Sequence, residues 1–155
     1  MDIRILPTDW SNPTHCAAAV ALLNEYSQDP YGGSAPLSEE VQQTLADKLA
    51  MHPGCYSWLA FAGEEPVGIL NSFLGFSTFQ ARPLLNIHDV AVLPGRRGGG
   101  IGRKLLAAAE ETARQLGCCR ISLEVRQDNA IAKHLYQSFG FDPGEPLTEF
   151  WAKKF

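Results

Sequence analysis

At 155 residues the chain has room for one domain, and a second would be too small to build its own core. Hydrophobic residues make up 45% and charged residues 19%, an ordinary soluble globular composition that argues against a disordered chain. The net charge of −4 excludes a general nucleic-acid binder.

The alternating segment DIRIL (2–6) predicts a first strand. Helices are expected over 12–27, where Asn12 is placed as N-cap with Pro13 at the first helical position, and over 38–51, where Ser38 opens a turn rich in acids. The connecting QDPYGGSAP (28–36) is too rich in Pro and Gly for regular structure. SWLAFAG (57–63) and PVGILNSFLGFSTF (66–79) read as two strands of a hairpin turning near Gly63, and LLNIHDVAVLP (84–94) as a third. A glycine-rich turn then leads into a helix ending at Leu116, whose apolar stripe is Ile101, Leu105, Ala109, Ala113 and Leu116, with Gly117 placed to stop it. CRISLEV (119–125) predicts a strand, DNAIAKHLYQSFG (128–140) a helix and EFWAKKF (149–155) a last strand. The expected order is β-α-α-β-β-β-α-β-α-β, one α+β domain over 1–155 around a mixed sheet.

No stretch approaches the roughly 20 apolar residues of a membrane helix, and MDIRILPTDW lacks the apolar run of a signal peptide, so a cytoplasmic location is expected. Cys16 and Cys55 stand alone and Cys118 and Cys119 are adjacent, which suits neither a disulfide framework nor zinc; buried thiols in a reducing compartment are the expectation.

Chemistry concentrates after residue 84. Arg97-Gly98-Gly99-Gly100-Ile101-Gly102 lies between a strand and a helix. Glycines let the backbone approach a ligand, and a helix start exposes N–H groups and partial positive charge, so the turn suits a pyrophosphate, with Arg96, Arg97, Arg103 and Lys104 nearby. It is no Walker loop, because Gly102 is followed by Arg103-Lys104-Leu105, and no Rossmann fingerprint, because the final glycine falls on Arg103 or Leu105. VLPGRRGGGIGRKLL, with its R-x-x-G-x-G, instead resembles the acetyl-CoA signature of the GNAT superfamily of N-acetyltransferases. LEVRQDNAIAKHLYQSFGF (123–141) resembles the second signature of that family, N-x-x-A-x-x-L-Y-x-x-x-G-F.

Asn129 and Tyr136 are seven residues apart, so at about 100° per residue they share a helix face. The resemblance implies acetyl-CoA as co-substrate, held by Arg97, Gly98, Gly99, Gly100, Ile101, Gly102 and Arg103. It implies that Asn129 bonds the pantetheine arm and that Tyr136 protonates the leaving thiolate. It also implies that the backbone of Val90, Ala91 and Val92 meets the acyl arm, with an N–H near Val90 as oxyanion donor. Neither a metal nor a covalent intermediate is needed.

Direct transfer requires a base for the amine proton. Glu124, in LEVR, looks like the base of those GNATs that acetylate protein N-termini. His88 matches a strand position where arylalkylamine acetyltransferases place a histidine, although Asn86 stands where they have a second. Strict alternation puts Asn86, His88 and Val90 on one face and Asp89 on the other; a bulge would reverse that. Both Glu124 and His88 stand as candidates.

The acceptor pocket is expected between the 28–36 loop and Phe73, Phe76 and Phe79, with Asn86 nearby. Residues 1–80 carry Arg4 and Lys48 against nine acids, whereas residues 81–155 carry eleven basic residues against eight acids. That asymmetry points to a cationic amine held by Asp29 beside Tyr31, in a turn able to swing over it. The expected acceptor is a small-molecule or peptide amine, with no nucleic acid or membrane partner and a homodimer as one assembly open to the chain. The alternatives are transfer to a protein N-terminus or lysine, use of a longer acyl group, and a degenerate acyl-CoA-binding sensor.

Overall fold

A computed structural model describes residues 2–155. The chain divides into two compact units, Met1–Glu124 and Val125–Phe155.

The first unit holds β1 (Ile3–Pro7), α1 (Pro13–Gln28), α2 (Glu39–Met51), β2 (Cys55–Ala62), β3 (Glu65–Ser77), β4 (Arg82–Val92), α3 (Ile101–Gln115) and β5 (Ile121–Leu123). The five strands form one sheet in the order β1-β2-β3-β4-β5. The first four are antiparallel neighbours, and β5 runs parallel to β4, which makes the sheet mixed. Local chemistry sets the helix starts. Asn12 accepts from the Thr14 N–H at 2.9 Å with Pro13 behind it, and Ser38 Oγ accepts from the Val41 N–H at 3.2 Å.

Leu59, Phe61, Ile69 and Ala91 pack against Ala18, Ala19, Leu22 and Leu23 of α1. The α3 stripe of Ile101, Leu105, Ala109 and Ala113 is buried, and Leu116 is half-buried where the helix stops before Gly117. α2 differs from both neighbours: it contains no fully buried residue. The four cysteines are unbridged and half-buried, not buried as expected from the sequence.

The second unit contains α4 (Ala130–Ser138), capped by Asn129 Oδ1, which accepts from the Ala132 N–H at 3.1 Å. Arg126 and Asp128 pair just before it, and the rings of Tyr136 and Phe141 meet edge-on at 5.8 Å. The strand expected over 149–155 does not form. A strand needs a neighbour for its backbone groups, and no ladder includes these residues; Phe150, Trp151 and Phe155 are exposed. The sheet therefore has five strands where six were expected, while the α+β class stands.

Candidate active site

β4 carries the feature on which the site turns. Ser72 of β3 pairs with Ile87 and Asn71 pairs with Asp89, so His88 is an extra residue in the ladder. This bulge breaks the two-residue alternation. Phe73 faces Asn86 and Asn71 faces Asp89, so Asn86 and Asp89 share a face, the reverse of strict alternation. The ladder between β4 and β5 runs from Leu85 and Ile121 to Ile87 and Leu123, so the pairing stops where the bulge begins.

A polar row crosses the sheet to this point. Ser57, Asn71 and Asp89 are direct neighbours on β2, β3 and β4. Ser57 Oγ donates to Asn71 Oδ1 at 2.7 Å, and Asn71 Nδ2 donates to Asp89 Oδ2 at 3.1 Å. Ser57 spends its single proton on Asn71, so the 2.9 Å contact between Thr8 Oγ1 and Ser57 Oγ has Thr8 as donor. Each donor points onward and the row ends on the Asp89 carboxylate. Ser57 and Asn71 are buried, so their bonds fix that carboxylate firmly.

His88 Nδ1 lies 3.7 Å from Asp89 Oδ1, with its imidazole largely open to solvent. The Asp89 carboxylate facing it raises the His88 pKa above the usual value near 6.5; partial burial opposes the rise, and the charges of Asp89 and Glu124 add to it. Glu124 itself is exposed.

His88 and Asp89 open into a cavity of about 480 Å³. Its floor is Asn71, Phe73, His88 and Asp89; Leu23, Tyr26 and Ser27 of α1 form one wall, Val41, Leu45 and Leu49 of α2 the other, and Gly32, Gly33 and Leu37 the lip. Phe73 stands edge-on between His52 and His88, at 5.0 and 5.7 Å. The lip is pinned to the last turn of α1: Gly32 N–H donates to the Asp29 carbonyl, Gly33 and Ala35 N–H to the Ser27 carbonyl, and Leu37 N–H to Asn24 Oδ1. A Cβ on Gly32 would sit 2.1 Å from the Tyr26 carbonyl oxygen, which is why the turn has no side chain there.

Several acceptor residues expected from the sequence lie elsewhere. Asp29 is tied to Arg97 at 2.7 Å and accepts from the Tyr31 N–H at 2.9 Å; the Tyr31 bond and then the guanidinium hold its pKa below the usual carboxylate range. Tyr31 does not line the cavity, and Asn86 braces the ladder by donating to Ser122 Oγ at 3.1 Å. Phe76 and Phe79 are exposed on the hairpin. Phe73 is the one acceptor candidate that reaches the cavity, and the 28–36 loop supplies its lip rather than a swinging cover. Asp89, Asn71 and Tyr26 were missed; an acid within the apolar run LLNIHDVAVLP was the available signal, since a carboxylate there needs a reason.

On the far side of Tyr26 lies a smaller groove of about 210 Å³, lined by the end of α1, Asp29, Ala91, Val92, Leu93 and Arg97. Tyr26 lines both spaces. Burial, then the charges of Asp89 and Asp29, push its hydroxyl pKa up. Arg97 also donates from Nε to the Val92 carbonyl at 3.0 Å, and Arg96 pairs with Glu65.

The turn before α3 fits a pyrophosphate. Gly98 and Gly100 have φ of 83° and 78°, the left-handed region in which L side chains are strained. No side chain caps α3, so the partial positive charge of its start suits an anionic ligand. No protein atom lies within 4 Å of a Cβ built on Gly98 or Gly100, which leaves open space beside the turn.

A sequence profile of the acetyltransferase (GNAT) family matches residues 19–141. The aminoglycoside N(6')-acetyltransferase type 1 of Acinetobacter haemolyticus is 26% identical over 118 residues, 74% of this chain and 78% of that protein. The streptothricin acetyltransferase of Streptomyces lavendulae is 42% identical over 74 residues, 48% of this chain and only 39% of that protein. Among solved structures, an integron cassette protein from V. cholerae superposes with a TM-score of 0.84 at 20% identity, over 100% of this chain and 94% of that one. AAC(6')-Iy in complex with the bisubstrate analog CoA-S-monomethyl-acetylneamine gives 0.81 at 17% identity, over 100% of both chains. The structural likenesses carry the fold, the profile carries the lineage, and the chain belongs to the acetyltransferase (GNAT) family, whose members use acetyl-CoA.

Proposed function

We propose that the chain is an acetyl-CoA-dependent N-acetyltransferase acting on a small primary amine, with His88 as general base and Asp89 as the group that orients it. The observation that carries this reading is the bulge at His88, which brings an imidazole and a fixed carboxylate together in the lining of an open cavity. Acetyl-CoA supplies the activated acyl group.

The chain's own residues do the rest. Asp89 draws the ammonium form of the amine to the floor, where one proton leaves to solvent and gives the nitrogen the lone pair that attacks the acyl carbon. As the new N–C bond forms, the nitrogen becomes acidic and His88 takes its proton. The C–S bond breaks and the thiolate takes a proton from Tyr136, a phenol being comparable in acidity to the departing thiol. Backbone near Val90 offers an N–H to the acyl oxygen. Glu124 acts through His88, as a negative charge that favours the imidazolium. Gly98 to Arg103 take the pyrophosphate and Asn129 Nδ2 the pantetheine amide.

The test is free-thiol release from acetyl-CoA with pooled primary amines, followed by rate–pH profiles of His88→Ala and Glu124→Gln. Amine-dependent release, with its acidic limb lost in His88→Ala and kept in Glu124→Gln, is expected. Binding of acetyl-CoA without amine-dependent release would make the chain a sensor and defeat the proposal.

A further inference from the structure

The wall contributed by α2 indicates what kind of amine fits. Leu37, Val41, Leu45 and Leu49 recur every four residues and all line the cavity. An apolar stripe at that spacing is ordinarily what a helix buries against its core. Here α2 has no fully buried residue, whereas α1 and α3 each bury several, and Val41 is 39% exposed. Leu37 and Leu45 pack in part against the core, and the half-buried stripe leaves its remaining surface open to the cavity.

That space is apolar on its walls and charged at one end only. Asp89 is the single acid among the lining residues; Glu39, Glu40 and Asp47 of α2 are exposed and do not line the cavity. One carboxylate answers one ammonium. A second ammonium or a set of hydroxyls along the leucines would lose water without gaining a partner. A volume of about 480 Å³ falls within the range of roughly 300–1,000 Å³ for small-molecule sites.

From this juxtaposition of a single fixed carboxylate with an unfilled leucine wall, we infer that the acceptor is a primary amine on an alkyl or arylalkyl body, not a hydrophilic polyamine or amino sugar. The inference rests on the proposed acetyltransferase reading for its chemistry, and on the cavity alone for its specificity. The body of the amine extends from Asp89 along Leu45 and Leu49.

The test is kcat/KM for linear primary amines from ethylamine to decylamine, with phenylethylamine, spermidine and neamine alongside. Values should rise roughly fourfold per methylene, as burial of each predicts, and flatten when the cavity is full; spermidine and neamine should fall below butylamine. Leu45→Gln should flatten the series mainly through KM, with the loss growing with the length of the amine. A series flat in chain length, or neamine or spermidine as best substrate, overturns the inference. If no amine is acetylated, the catalytic proposal fails by itself, and the cavity is judged by calorimetry: octylamine binding at least tenfold tighter than ethylamine sustains the inference, and equal or absent binding overturns it.

Discussion

In the reading proposed above, the turn before α3 meets its ligand with backbone, whereas the cavity under α2 meets its own with side chains. Backbone recognition needs particular residues at fixed spacing: glycines at positive φ, a helix start without a cap, and open space where a Cβ would project. Such a site is written contiguously over Arg97–Arg103. The cavity draws on α1, the 28–36 loop, α2, β3 and β4, spread from Leu23 to Asp89. Its residues acquire meaning only once the sheet brings them together. The contrast explains how one cofactor site can serve different acceptors, since the two are encoded in separate parts of the chain.

The largest effect should come from Gly100→Asp. Space is open beside Gly100, so the added charge meets the phosphates of a ligand, and the φ of 78° adds backbone strain to the effect. Calorimetry should show acetyl-CoA affinity reduced at least 100-fold, about 2.7 kcal/mol, with amine binding little changed. Joint loss of both would mean that the two sites are not separable.

His88→Ala should lower kcat at least about a hundredfold, the usual scale of a lost general base. Tyr136→Phe should lower kcat by a similar or smaller factor while acetyl-CoA affinity stays within about threefold. A Tyr136→Phe variant with full turnover removes this tyrosine from the chemistry.

Asp89→Asn tests the coupling on the amine side. A base works when deprotonated, so the rate rises with pH through the His88 pKa. Asp89 holds that pKa above the ordinary value, so its removal should move the acidic limb to lower pH and raise the KM of the amine. A limb that stays in place would show that Asp89 does not act on His88.

The smallest effect, and the sharpest for the comparison, is expected of Asp29→Asn. The charge asymmetry of the sequence assigns this residue to the amine, yet its carboxylate holds Arg97. The substitution should change acetyl-CoA affinity by a few-fold, with the change shrinking as salt rises, and leave amine KM untouched. A selective rise in KM for cationic amines would return Asp29 to the acceptor site. The pair is half-exposed on the arginine side, so unfolding free energy should shift by no more than about 1 kcal/mol.

What could be read in the sequence follows from the same contrast. Helix starts at Asn12 and Ser38, the α3 stripe, the stop at Gly117 and the glycine turn are local, and the structure reproduces them. The face of Asp89 was not legible, because one extra residue in β4 reverses every later side chain, and a bulge has no residue signature in NIHDVAV. The partner of Asp29 lies 68 residues away and could not be inferred from net charge, since Arg96 and Arg97 are both matched by acids of the first half. The tail 149–155 has the composition of a strand but no edge pairs with it.

Gly32 ties acceptor choice to a wider question, which parts of this scaffold are free to diverge. With the Tyr26 carbonyl 2.1 Å from any Cβ at that position, a side chain there would displace the lip and disturb the tyrosine that lines both cavity and groove. New acceptor ranges are hard to reach through the loop, because a change there disturbs both spaces at once. α2 is less constrained: it has no fully buried residue, and at Val41, which is exposed, exchange of side-chain size costs little stability. Drift of acceptor preference, in nature or in a laboratory library, should therefore run along one face of α2 while the glycine lip stays fixed.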